Sequence, residues 1–79
     1  IFPNPVITNA IFTINSTFST RISAKVMDIR GKLVKEISNI DLAEGDNLIS
    51  IQLEELTSGV YVLQVFNNSN VQNYVFIKQ

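Results

Sequence analysis

No cysteine and no histidine occur in this 79-residue sequence. The first absence excludes disulfides and thiolate chemistry; an oxidising compartment is permitted by it but not indicated. The second removes the commonest general base together with the commonest zinc ligand. Charge is also scarce. Asp, Glu, Lys and Arg make up 16% of the residues and the net charge is −1. The six Lys and Arg are spread along the chain. That leaves no basic footprint for nucleic acid and no polybasic membrane patch. No apolar run approaches the roughly 18 residues of a membrane-spanning helix. The chain opens at Ile1 with neither a positively charged n-region nor an apolar h-region. It reads as a piece of a longer protein whose export signal would sit elsewhere.

What is present is a core. Hydrophobic residues make up 46% of the chain, which is enough for one packed domain. Their spacing alternates with period two, the pattern of half-buried strands. In "AIFTI", Ile11 or Phe12 sets the buried face. In "RISAKVMDI", Ile22, Ala24 and Val26 share one face while Ser23 and Lys25 take the other. "RGK", Arg30 to Lys32, reads as a turn in which Gly31 supplies positive φ. Residues 22–38 therefore predict a β-hairpin, and the broken parity at Val34 and Ile37 predicts a bulge. Asp41 to Asn47 reads as loop. "LISIQL" places Ile49, Ile51 and Leu53 on one face. "EELTSG" resembles a helical turn too short to stand alone. "VYVLQVF" alternates Tyr61, Leu63 and Val65 against Val60, Val62 and Gln64. "NNSN" is a hairpin turn, and "VQNYVFI" returns as the last strand. Six or seven short strands without a helix predict an all-β fold, a small antiparallel Ig-like β-sandwich. "FPNP", with Pro3 and Pro5, is stiff and ends a linker over residues 1–5. Residues 6–79 then form a single domain.

The most strongly patterned stretch is "LTSGVYVLQV", Leu56 to Val65. Leu56, Gly59 and Tyr61 have the spacing of a tyrosine corner, in which a buried Tyr sends its hydroxyl to backbone a few residues upstream. That explanation requires no ligand.

Candidate chemistry is thin. Glu54 and Glu55 are adjacent, so in a strand they face opposite ways and share no proton. Asp28 precedes the Gly31 turn, where Asp commonly accepts from local backbone N–H groups. Asp41, Glu44 and Asp46 are acidic enough to suggest calcium, but their spacing matches no calcium loop and a solvated loop is the simpler reading. "NST" at Asn15 and "NNS" at Asn67 match the glycosylation sequon, a triplet common by chance. No catalytic, metal-binding or cofactor-binding residue emerges. Neither a cofactor nor a small-molecule substrate is expected. In the final strand, Val71 to Lys78, the reading places Val75 and Ile77 in the core. Tyr74 and Phe76 then form an outward apolar stripe with Lys78 beside it, on an edge able to template a partner strand.

Four motifs come in a particular order: "FPNP", "MDIRGKLVKE", "LEELTSGVYVLQV" and "FIKQ". Together they resemble the C-terminal sorting domain of the type IX secretion system, also called the Por secretion system. The resemblance covers nearly the whole chain. It implies a non-catalytic β-sandwich at the C-terminus of a secreted cargo protein in a Gram-negative bacterium. The implied partners are the parent cargo N-terminal to the domain, the type IX translocon, and outer-membrane shuttle and sortase proteins. The implied route runs through the periplasm and across the outer membrane to the cell surface or medium, with removal of the domain by a sortase-like peptidase. Pro3 and Pro5 match the family's entry motif, Gly31 and Lys32 its central turn, Gly59 and Tyr61 its corner, and Lys78 its terminal basic residue. Gly31, Lys32, Tyr74, Phe76 and Lys78 are the recognition candidates. Two positions depart from the pattern: Met27 stands where an aromatic is frequent, and Asn73–Tyr74 where a lysine commonly opens the last strand. The alternative is a fibronectin-III-like or carbohydrate-binding accessory module. The absence of Trp counts against it, since such modules usually place one in the core or on a binding platform.

Overall fold

A computed structural model describes residues 8–68 and 70–79. The entry motif at Pro3 and Pro5 and the linker over residues 1–5 lie outside the described residues. Six strands follow in order: β1 Asn9–Ser16, β2 Thr20–Asp28, β3 Leu33–Leu42, β4 Gly45–Gln52, β5 Gly59–Asn67 and β6 Asn70–Lys78. β1 and β4 form a two-stranded sheet. The other four form a second sheet in the order β3-β2-β5-β6. All pairings are antiparallel. The described residues contain no helix. The fold is the expected small β-sandwich.

Alternation decides which residues meet between the sheets. β1 contributes Ala10, Phe12 and Ile14, and the β4 segment contributes Ile51 and Leu53. From the larger sheet come Ile22, Ala24 and Val26 of β2, Leu42 of β3, Tyr61, Leu63 and Val65 of β5, and Phe76 of β6. Ile49 packs against this cluster, so the face assigned to Ile49, Ile51 and Leu53 holds. The hairpin of β2 and β3 carries the expected irregularity. Its register slips between Ile22 and Ala24 and again between Val26 and Met27. At the first slip, Asn39 takes a φ of 58°, a left-handed value that Asn tolerates better than most residues.

The segment Asp41–Asn47 is not the loop its composition suggests. β3 runs on to Leu42 and β4 begins at Gly45, leaving only Ala43 and Glu44 between them. The Asn47 side chain makes so short a crossing feasible. Its Oδ1 accepts from the Ala43 N–H, and its Nδ2 donates to the carbonyls of Ala43 and Gly45. Two of the three acidic side chains are engaged by neighbours across the strands: Asp41 pairs with Arg21 at 2.8 Å, and Asp46 accepts from the Asn15 amide at 2.9 Å. "EELTSG" makes a tight turn, with the Leu56 N–H donating to the Leu53 carbonyl.

Candidate recognition surface

The turn between β2 and β3 is built by one carboxylate. Asp28 Oδ1 accepts from the N–H groups of both Arg30 and Lys32, each at 2.9 Å. The Asp28 backbone closes the same turn, donating to the Lys32 carbonyl and accepting from the Gly31 N–H. Gly31 sits at φ 85°, where a side chain is strained, and open space surrounds the place a Cβ would occupy. The Lys32 N–H is the main reason the Asp28 carboxyl stays below its ordinary range. The Arg30 N–H and the two cationic side chains add to this, and partial desolvation opposes it. Gly31 and Lys32 are exposed at the tip, where a partner can reach them.

The corner forms at the same end of the sandwich. The Tyr61 hydroxyl donates to the Thr57 carbonyl at 2.7 Å and lies 3.2 Å from the Thr57 hydroxyl. Its ring is buried and stacks on Phe76, centroid to centroid at 5.7 Å. Gly59 opens the strand at φ 157°, and a Cβ there would meet the Tyr61 ring at an ordinary 3.9 Å.

The last strand corrects the sequence reading. Phe76 is 1% exposed, whereas Val75 and Ile77 are 65% and 48% exposed. Tyr74 is half-buried, packs against the core beside Phe12, and donates to the Gln72 side chain. The cause is register. The hairpin closes with Asn67 opposite Asn70, which sets Phe76 opposite Tyr61 and Tyr74 opposite Leu63. Residues directly opposite share a face, so the two aromatics follow Tyr61 and Leu63 inward. No outward aromatic stripe exists on β6.

Lys78 faces inward as well. It is 6% exposed, opposite Gly59, and its Nζ donates to the Gln79 carbonyl. It is a packed residue, not the projecting charge expected. Lys35 of β3 ties the sheets together by donating to the Gln52 carbonyl and to Glu55 Oε1. The hydrogen bond from Lys35 leads the causes that lower the Glu55 carboxyl, with a smaller Coulombic contribution from Lys78.

Of the five recognition candidates, the structure thus brings Gly31 and Lys32 to an exposed tip and places Tyr74, Phe76 and Lys78 against or within the core. It also exposes residues the sequence reading left out: Ile29, Leu33 and Val60 are 74%, 47% and 41% exposed. The parity of β5 carried a signal for Val60, since a strand with Tyr61 and Leu63 inside must turn Val60 and Val62 outward.

A family model described as the secretion system C-terminal sorting domain matches residues 1–79. The chain belongs to this family. No curated protein matches the sorting domain, and no solved structure does. Domains of this family are C-terminal signals for type IX secretion. Membership places this sorting domain with a cargo protein handled by that system. It implies export across the outer membrane, to the cell surface or beyond. The family match favours sorting over the accessory-module alternative.

Proposed function

We propose that residues 6–79 act as a folded, non-catalytic export signal. Residues 1–5 link it to the cargo, the type IX translocon reads it, and a sortase-like peptidase removes it once the cargo has crossed. The observation that supports this reading is the family match along residues 1–79. The sandwich supplies what a signal of this kind needs, a defined surface displayed by a self-contained core. The exposed tip at Gly31 and Lys32 is the better placed of the two recognition regions. The interior positions of Tyr74, Phe76 and Lys78 give those side chains a folding role.

A fusion tests the proposal. A periplasmic reporter followed by residues 1–79 is expressed in a type IX-competent host. The expected outcome is reporter in the medium or on the surface, with the sorting domain missing from its mass. Periplasmic retention of a folded fusion refutes the export role. Export of a reporter that still carries the domain refutes the removal step alone.

A further inference from the structure

One face of the larger sheet is apolar where water is expected. The outer face of an exposed antiparallel sheet is normally polar. Here Leu33 lies opposite Met27, Met27 opposite Val62, and Val62 opposite Val75. These pairings draw one aliphatic row across all four strands. Val60 extends the zone on β5 toward the β2–β3 turn, and Ile29 stands beside it at the turn. The next row in the other direction reads Glu36, Lys25, Gln64 and Asn73. Polarity therefore changes within one step along the strands, and this polar row separates the zone at the Gly31 end from Phe66 and Val71, which lie opposite one another beyond it.

The rim of the zone is basic at that end. Arg30 and Lys32 alternate with Ile29, Gly31 and Leu33 along the tip. Asp28 is the acidic group beside them. Its Oδ1 is engaged by the turn's N–H groups, and its Oδ2 lies 3.9 Å from Arg30. The Arg30 side chain is nonetheless 85% exposed. Lys32 has no ion-pair partner among the described residues.

We infer that this zone is the surface by which the export machinery holds the domain, and that the partner there is a protein presenting an apolar patch with an acidic rim. The inference rests on the sorting reading and specifies its recognition surface. Two cations are too few for an anionic bilayer, which is typically met by clusters of about four to eight. The zone also lacks the Trp and Tyr that anchor proteins at a membrane interface. A second copy offers no charge complement. An isologous contact sets the basic rim against itself or against the Lys25–Glu36 pair, whose charges cancel. The zone is two rows deep and four strands wide at most. That area falls short of the about 800 Å² per partner of a standard stable complex. Such a contact is brief, which suits a signal that must be let go.

Two double variants test the inference in the reporter fusion with residues 1–79. Val60→Thr with Val75→Thr removes apolar surface and keeps β-branching. Arg30→Gln with Lys32→Gln removes the rim charge. Each is expected to lower secreted reporter by about tenfold, the scale of losing the contacts of two aliphatic side chains or two charges. Thermal midpoints are expected to stay within a few degrees of wild type. If the threonine pair melts, Val75→Ala replaces it. Wild-type secretion by folded variants overturns the inference and leaves the sorting reading intact. Retention of the unmutated fusion overturns the sorting reading itself. Two results with the purified fusion also overturn the inference: sedimentation with phosphatidylglycerol vesicles that the variants lose, or a dimer that Val60→Thr with Val75→Thr dissociates. The first gives the zone to a membrane, the second to another copy.

Discussion

Removing the Tyr61 hydroxyl is the sharpest test of the corner. Tyr61→Phe keeps the ring, its burial and its stacking on Phe76. It deletes a 2.7 Å donation to the Thr57 carbonyl and a 3.2 Å contact with the Thr57 hydroxyl. An intramolecular hydrogen bond contributes about 1 kcal/mol net, and a partly buried carbonyl left without its donor raises the loss to about 1–2 kcal/mol. Urea unfolding followed by far-UV circular dichroism reads this directly. A chain of this length has a slope near the low end, about 1 kcal/mol per molar urea, so the midpoint should fall by about 1–2 M. Tyr61→Ala adds a cavity and costs about 3–5 kcal/mol. A domain this small has a stability of only a few kcal/mol, so that variant should be largely unfolded. Thr57→Ala separates the two contacts, since it removes the hydroxyl and keeps the carbonyl. Its effect should be smaller than that of Tyr61→Phe. Superimposable curves for wild type and Tyr61→Phe, with equal slopes, would refute the claim that the corner's hydroxyl holds the turn.

Phe76→Ala should cost about 3–5 kcal/mol, while Val75→Ala should cost well under half of that; reversed midpoints in urea would mean the register of β6 is wrong. Gly31→Ala should cost about 1–2 kcal/mol through backbone strain alone, because nothing crowds the new methyl; an unchanged thermal midpoint would remove the left-handed turn from the account. Asp28 and Glu55 both have carboxyls lowered by folding, so their stabilisation is present above the unfolded carboxylate range and is lost as pH falls through the folded values. The stability gap between wild type and Asp28→Asn should therefore narrow on acidification below the ordinary Asp range, and a gap constant with pH would contradict the assignment. Lys78→Met should keep most of the stability that Lys78→Ala loses, by about 1–2 kcal/mol, because its buried stem matters more than its charge; equal losses would mean the ammonium is the stabilising part.

The strands were legible wherever one residue type settled the face. Ile22, Ala24 and Val26 alternate with Ser23 and Lys25, and only one arrangement buries them all. Gly31 and Tyr61 were legible because local geometry demands those side chains at those places. β6 was not. Tyr74, Val75, Phe76 and Ile77 are all apolar, so alternation is silent about which pair turns inward. The answer depends on the register of a hairpin turn several residues away, and a one-residue slip exchanges the faces. Lys78 misled for a related reason, since a lysine near a strand end is expected in solvent. The Asp41–Asn47 crossing was hidden because its polarity suggested a loop, while the Asn47 side chain supplies the bonds that a longer loop would otherwise provide. The apolar row across the larger sheet joins residues from four separate strands, and a sequence read linearly cannot assemble it.

The strand order also imposes a schedule. β2 and β5 stand side by side at the centre of the larger sheet, with Ala24 opposite Val65, while among the described residues β1 pairs with β4 alone. Of the first four strands, only β2 and β3 meet through a local hairpin, and pairings between distant segments form late and slowly. Neither sheet can be completed from the first half of the domain. The corner, the buried Phe76 and the Val62–Val75 part of the aliphatic row all wait for the chain's last twenty residues. A polypeptide broken off before β5 would lack the assembled surface, so the topology makes the finished domain a certificate that the chain was read through to β6.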